Sequence, residues 1–177
     1  MKSFRQFIDE ATLNKQIKNT KTKDTGIVSR DRGGHTEKEN RAERKSLEKK
    51  LRRAKTGFSK NIGKYKEDGQ DKATTEVSYQ LTRNPKRHSK KGFERFTKNI
   101  GKKDAKGGKQ DSVITQRAGK DAVMHQTNAL KGKKPEAFKI GKAKYGSHPD
   151  PEIGKTSPSK VRSQKKPKST GKGFHYR

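Results

Sequence analysis

Hydrophobic positions in this chain are few and gather in short patterned runs. The clearest is EVSYQLT at 76–82, where Val77, Tyr79 and Leu81 alternate with Ser78, Gln80 and Thr82, the period of a half-buried strand. Downstream, GFERFTKNIGKK sets Phe93, Phe96 and Ile100 at i, i+3 and i+7, which predicts a short helix stopped by Gly101. Between 37 and 54 the chain is rich in Glu, Lys, Arg, Ala and Leu. Leu47, Leu51 and Ala54 form a narrow helical stripe there, and Gly57 lies beyond its end. Thr36 followed three residues later by Glu39 is a capping-box pattern for that helix.

Three weaker patterns complete the set. TGIVS at 25–29 reads as a short strand. QDSVITQRAGKDAVMHQTN reads as a hairpin, with Val113 and Ile114 in one arm, Ala122, Val123 and Met124 in the other, and Ala118-Gly119-Lys120 at the turn. Phe58, Ile62 and Tyr65 suggest one more strand. The sequence therefore predicts an α+β domain over 25–130, with two helices on one face of a three- to four-stranded sheet. A polar linker is expected at 11–24 and a basic, largely disordered tail at 131–177. The tail holds 14 Lys or Arg against three acids and shows no period. The pentapeptide KNIGK occurs twice, at 60–64 and 98–102, without matching flanks, and reads as coincidence.

Composition shifts the question from fold to partner. Lys plus Arg number 48 against 19 acids, a net charge of +29 over 177 residues, which is the footprint of a polyanion-binding protein. On this reading DNA is held through its phosphates, without base readout. The tail cations Lys133, Lys134, Lys139, Lys142, Lys144, Lys160, Arg162, Lys165, Lys166, Lys168, Lys172 and Arg177 are the expected nucleic-acid contacts, and the aromatics spaced among them serve either to stack on bases or to tack the tail onto the domain. There is no cysteine, so neither a disulfide nor a thiolate metal site forms, and no apolar run of membrane-spanning length is present.

Catalytic signatures are sparse. Gly154-Lys155-Thr156 ends like a phosphate-binding loop, but Pro149 stands where the pattern needs its first glycine. The five histidines lack metal-ligand spacing, so no metal and no cofactor is expected. On the first long helix Glu48 is placed to pair with Arg52, whereas Glu39 and Glu43 repel, the signature of a solvated face. These features predict a protein that is not an enzyme.

The first eleven residues stand apart. Met1, Phe4, Ile8 and Ala11 fall on one helical stripe, with Phe7 beside it, and the local charges cancel. MKSFRQFIDE followed by Ala11 resembles the capsid-targeting peptides of internal head proteins of T-even-type tailed bacteriophages. In that family Phe4, Phe7 and Ile8 would form the targeting helix. Ile8, Asp9, Glu10 and Ala11 would form the maturation-protease site, cut after Glu10. The resemblance implies a virion protein packaged inside the capsid with DNA, partnered by the prohead core and its protease, with delivery into the host cytoplasm as a further expectation. TGIVSRDRGGHTEKENRAERKSLEKKL with EVSYQL and QDSVI also resembles small uncharacterised phage and bacterial α+β domains. Two alternatives stand beside the head-protein reading: an injected effector acting on a host factor, as an inhibitor or small enzyme, and a basic RNA- or ribosome-associated protein.

Overall fold

The computed structural model describes residues 14–32, 34–65, 74–102, 112–127, 136–146, 157–158 and 173–176. Three helices and nine strands are present among them. Helix α1 covers 14–22 and is followed by β1 (Thr25–Ser29), α2 (Glu37–Arg53), β2 (Gly57–Tyr65) and β3 (Thr74–Thr82). Then come α3 (Lys90–Lys102), β4 (Ser112–Gln116), β5 (Ala122–Gln126), β6 (Ala137–Gly141), β7 (Ala143–Gly146), β8 (Ser157–Pro158) and β9 (Gly173–Tyr176). Seven strands form one antiparallel sheet in the order β6-β5-β4-β1-β3-β2-β8, and β7 pairs with β9 separately.

The α+β class follows from the two periodicities. Tyr79 and Leu81 of β3, Val28 of β1 and Val113 of β4 share one face of the sheet. They pack against Leu47 and Leu51 of α2 and Phe93 and Ile100 of α3 in a single buried cluster. The stripe on α2 is narrow because two apolar positions, one turn apart, are enough to meet one layer. Its start is fixed as the sequence predicts: the Thr36 side chain accepts the Glu39 N–H, and the Glu39 carboxylate accepts the Thr36 N–H at 2.9 Å. The predicted hairpin is β4–β5, turning at Gly119, whose φ of 68° suits glycine.

The sheet is larger than the three or four strands expected. Its extra strands come from segments with little apolar patterning, since an edge strand needs only one partner and one half-buried face. β6, β7 and β9 all lie in the segment expected to be a disordered tail, and β6 pairs with β5. Helix α1 lies where a polar linker was expected. It covers the opposite face of the sheet, where Ile17 packs with Ile27, Ala143 and Tyr176. Most other groups it meets there are polar, which explains why no hydrophobic stripe announced it.

Gly101 does not stop α3, which runs on to Lys102. It is instead the point of closest approach between α3 and β4, because a Cβ there would collide with Val113 Cγ1 and lie 2.9 Å from Thr127 Cγ2.

Candidate functional site

The loop from β1 to α2 is tied to the strand beside it and to the helix it enters. Ser29 Oγ donates to the Val77 carbonyl at 3.0 Å and accepts the Asp31 N–H at 3.2 Å. Asp31 then acts where β1 has ended: its Oδ2 accepts the Val77 N–H at 2.8 Å, satisfying a donor on β3 that β1 no longer reaches. Its other oxygen takes Arg44 Nη1 at 2.7 Å, and the second arm of that guanidinium holds Glu37. The Arg44 side chain is only 6% exposed. Although burial opposes its charge, hydrogen bonds and charges from Asp31 and Glu37 outweigh that and raise its pKa above the usual arginine value. Asn40 completes the clamp, accepting the Arg32 N–H at 2.9 Å and donating to the Arg32 carbonyl at 3.2 Å.

Beside this clamp opens a cleft of about 450 Å³ lined by His35, Thr36, Lys38, Glu39, Ala42 and Glu43. That volume falls in the range of small-molecule sites. Although the cleft lies at a helix N-terminus, it is poorly suited to an anion. The capping box takes the N–H groups of Thr36 and Glu39, and Glu37 and Glu39 in the first turn offset the positive end of the helix dipole. Glu43, one turn further in, is 9% exposed, and no hydrogen bond or ion pair joins it to another described residue. Glu43 thus presents to the cleft a carboxylate without an ion-pair partner among the described residues, on a wall that also holds Lys38 and His35.

Two other clusters of titratable groups serve packing. The Tyr79 hydroxyl donates to Glu48 Oε1 at 3.0 Å, and Lys60 Nζ reaches the same oxygen at 2.8 Å. Burial pushes the Glu48 carboxyl upward, but hydrogen bonds from Lys60 and Tyr79 and the charges of Lys60 and Arg52 hold it below the usual range. Burial, then the negative charge of Glu48 and the bond to it, push the Tyr79 phenol far above its usual value. On the same face of the sheet, beside α3, His125 Nε2 and Thr115 Oγ1 lie 2.7 Å apart. Nearby, Glu94 binds Lys98 at 2.8 Å and faces Arg117 at 3.8 Å.

Of the predicted nucleic-acid contacts, Lys139 on β6, Lys142 between β6 and β7, and Lys144 on β7 are exposed and take no part in the cleft. Lys133, Lys134, Lys160, Arg162, Lys165, Lys166, Lys168, Lys172 and Arg177 lie outside the described residues. So do Phe4 and Phe7 and the motif Ile8, Asp9, Glu10 and Ala11. Sequence reasoning missed Asp31, Arg44 and Glu43. The repulsion between Glu39 and Glu43 is the available signal for the cleft, but spacing alone makes it a solvated helix face.

Residues 26–172 match a family model described as the S-adenosylmethionine lyase family, a span that takes in both helices of the core face and most of the sheet. Comparison with curated proteins and with solved structures finds no match. The family match overturns the expectation that this is not an enzyme. With it falls the expected role as a DNA-associated internal head protein, along with the virion, capsid, DNA-binding and processing attributes attached to that role. The physical reason is that net charge reports on the whole surface, whereas an active site needs only a few groups brought together by the fold.

Proposed function

The chain belongs to the S-adenosylmethionine lyase family, and from that membership we propose that it is a lyase acting on S-adenosylmethionine. The match over residues 26–172 carries this reading. A lyase breaks a carbon–sulfur bond of this substrate without water. The bonding pair moves to sulfur, which turns from a sulfonium cation into a neutral thioether. The carbon fragment completes itself internally, by losing a proton or by closing onto one of the substrate's own oxygens.

The charge change assigns the part played by the cleft. Glu43 suits the sulfonium of the bound substrate, and that attraction weakens as the bond breaks and the charge disappears. An interaction stronger in the ground state than in the transition state lowers KM and lowers kcat with it. Glu43 is accordingly a binding residue. Asp31, Arg44 and Asn40 are positioning residues that hold the cleft wall against β3.

The test is direct. The purified full chain is incubated with S-adenosylmethionine in water enriched in oxygen-18, and the products are weighed by mass spectrometry. Two fragments whose masses sum to that of the substrate, free of the heavy isotope, are expected. Heavy oxygen in a fragment would make the enzyme a hydrolase, and intact substrate would sink the reading altogether.

A further inference from the structure

The face of the sheet turned away from α2 and α3 carries amides. Asn61 on β2 and Gln80 on β3 stand on adjacent strands, Asn61 opposite Ser78 and so two residues along from Gln80, and they are 2% and 1% exposed. One residue of α1 engages both. Gln16 Nε2 donates to Asn61 Oδ1 at 2.6 Å, and the Gln16 carbonyl accepts Gln80 Nε2 at 3.2 Å. The floor therefore offers an acceptor and a donor to whatever lies above it. That pattern complements a molecule presenting an N–H donor beside an acceptor, the pattern of adenine's exocyclic amine and neighbouring ring nitrogen, which Asn and Gln side chains read elsewhere.

Gln16 fills this position incompletely. Among the described residues its own Oε1 and Gln80 Oε1 are buried without a hydrogen-bond partner, an arrangement that a ligand with better-placed donors improves on. Helix α1 also precedes the segment that matches the lyase family, which begins at Gly26.

We propose that Asn61 and Gln80 form a recognition pair for an adenine nucleoside, and that Gln16 occupies it in the free protein so that the ligand binds by displacing α1. This site is separate from the cleft at α2 and goes beyond the lyase reading. With the sheet between this pair and the cleft at α2, one substrate molecule cannot occupy both, so the ligand is a free adenine nucleoside acting as a regulator.

Hydrogen exchange on the full chain, read by mass spectrometry, tests it with adenosine, inosine and S-adenosylhomocysteine as probes. Adenosine is expected to speed exchange across 14–22 at least tenfold. Inosine, which carries a carbonyl in place of the amine, should not. Gln16→Leu should tighten adenosine binding several-fold, and Asn61→Leu should abolish it. Displacement of α1 by S-adenosylhomocysteine, with adenosine competing against the substrate for cleavage, would instead place the substrate itself at this pair and overturn the separate site. Displacement by adenosine that changes the cleavage rate without competing with the substrate identifies it as a regulator, and an unchanged rate overturns that role. Unchanged exchange at α1 under adenosine, or an equal response to inosine, overturns the proposal even where cleavage is intact. Absence of cleavage with α1 still displaced by adenosine would instead count against the lyase reading alone.

Discussion

Gly101 of α3 lies so close to Val113 of β4 that any side chain at the first position must move the second. Two effects oppose each other at this site. Alanine is a better helix former than glycine by about 1 kcal/mol, while forcing a methyl group into a packed core costs about 1–3 kcal/mol. Val113 is β-branched and 1% exposed, so it cannot swing aside and the clash wins. Gly101→Ala should therefore lower stability by about 1–2 kcal/mol in urea unfolding. The double variant with Val113→Ala should lose less than the sum of the two single losses. Strict additivity would show that α3 stands further from the sheet.

Asp31→Ala should cost about 3 kcal/mol, because it leaves the buried Arg44 with Glu37 alone and strips the Val77 N–H of its acceptor. Asp31→Asn can still accept that N–H and should lose less. Equal losses in denaturant midpoint would mean that charge pairing carries the whole effect.

Stability should fall in two stages as pH drops. Burial and then the charge of Lys98 lower the His125 pKa below its usual 6.5, with Glu94 opposing. The unfolded chain therefore binds a proton at His125 before the fold does, so stability is lost as pH falls through about 6.5. Glu48 and Glu94 have pKa values held below the usual 4.5, Glu94 chiefly by the hydrogen bond from Lys98. Their contribution is full above that value and disappears as pH falls through the folded-state pKa. His125→Gln should remove the upper stage and leave the lower. Thermal midpoints measured between pH 8 and 3 would check both, and an upper stage that survives the substitution would exclude His125 as its source.

Glu43→Gln keeps the shape of the side chain and removes its charge. With S-adenosylmethionine it should raise KM by about tenfold and raise kcat as well, the pattern of a lost interaction that is stronger in the ground state than in the transition state. A fall in kcat at constant KM would instead mean that Glu43 acts on the breaking bond.

The core face was legible because its residues obey simple periods. Val77, Tyr79 and Leu81 alternate, while Phe93, Phe96 and Ile100 follow a helical spacing, and these residues meet where the pattern says they should. Helix α1 was not legible, because Gln16 and Thr20 are buried polar residues and a hydrophobic period cannot detect them. The clamp was hidden for another reason. Asp31 and Arg44 are 13 residues apart, and Asp31 reaches a backbone group on Val77, a contact that leaves no trace in side-chain spacing. Glu43 was visible as a like-charge neighbour of Glu39, but only the cleft turns that repulsion into a use.

The repeated KNIGK changes meaning between its two sites. At 60–64 it runs along β2 against β3, and at 98–102 it closes α3, where its isoleucine enters the core. Five identical residues in two conformations specify neither one, so what distinguishes them is the company upstream: Phe93 and Phe96 in one case, Gly57 and Phe58 in the other. The stripe of Phe93, Phe96 and Ile100 commits the second copy to a helix, and pairing with β3 commits the first to a strand, so tertiary context and not local sequence decides each conformation.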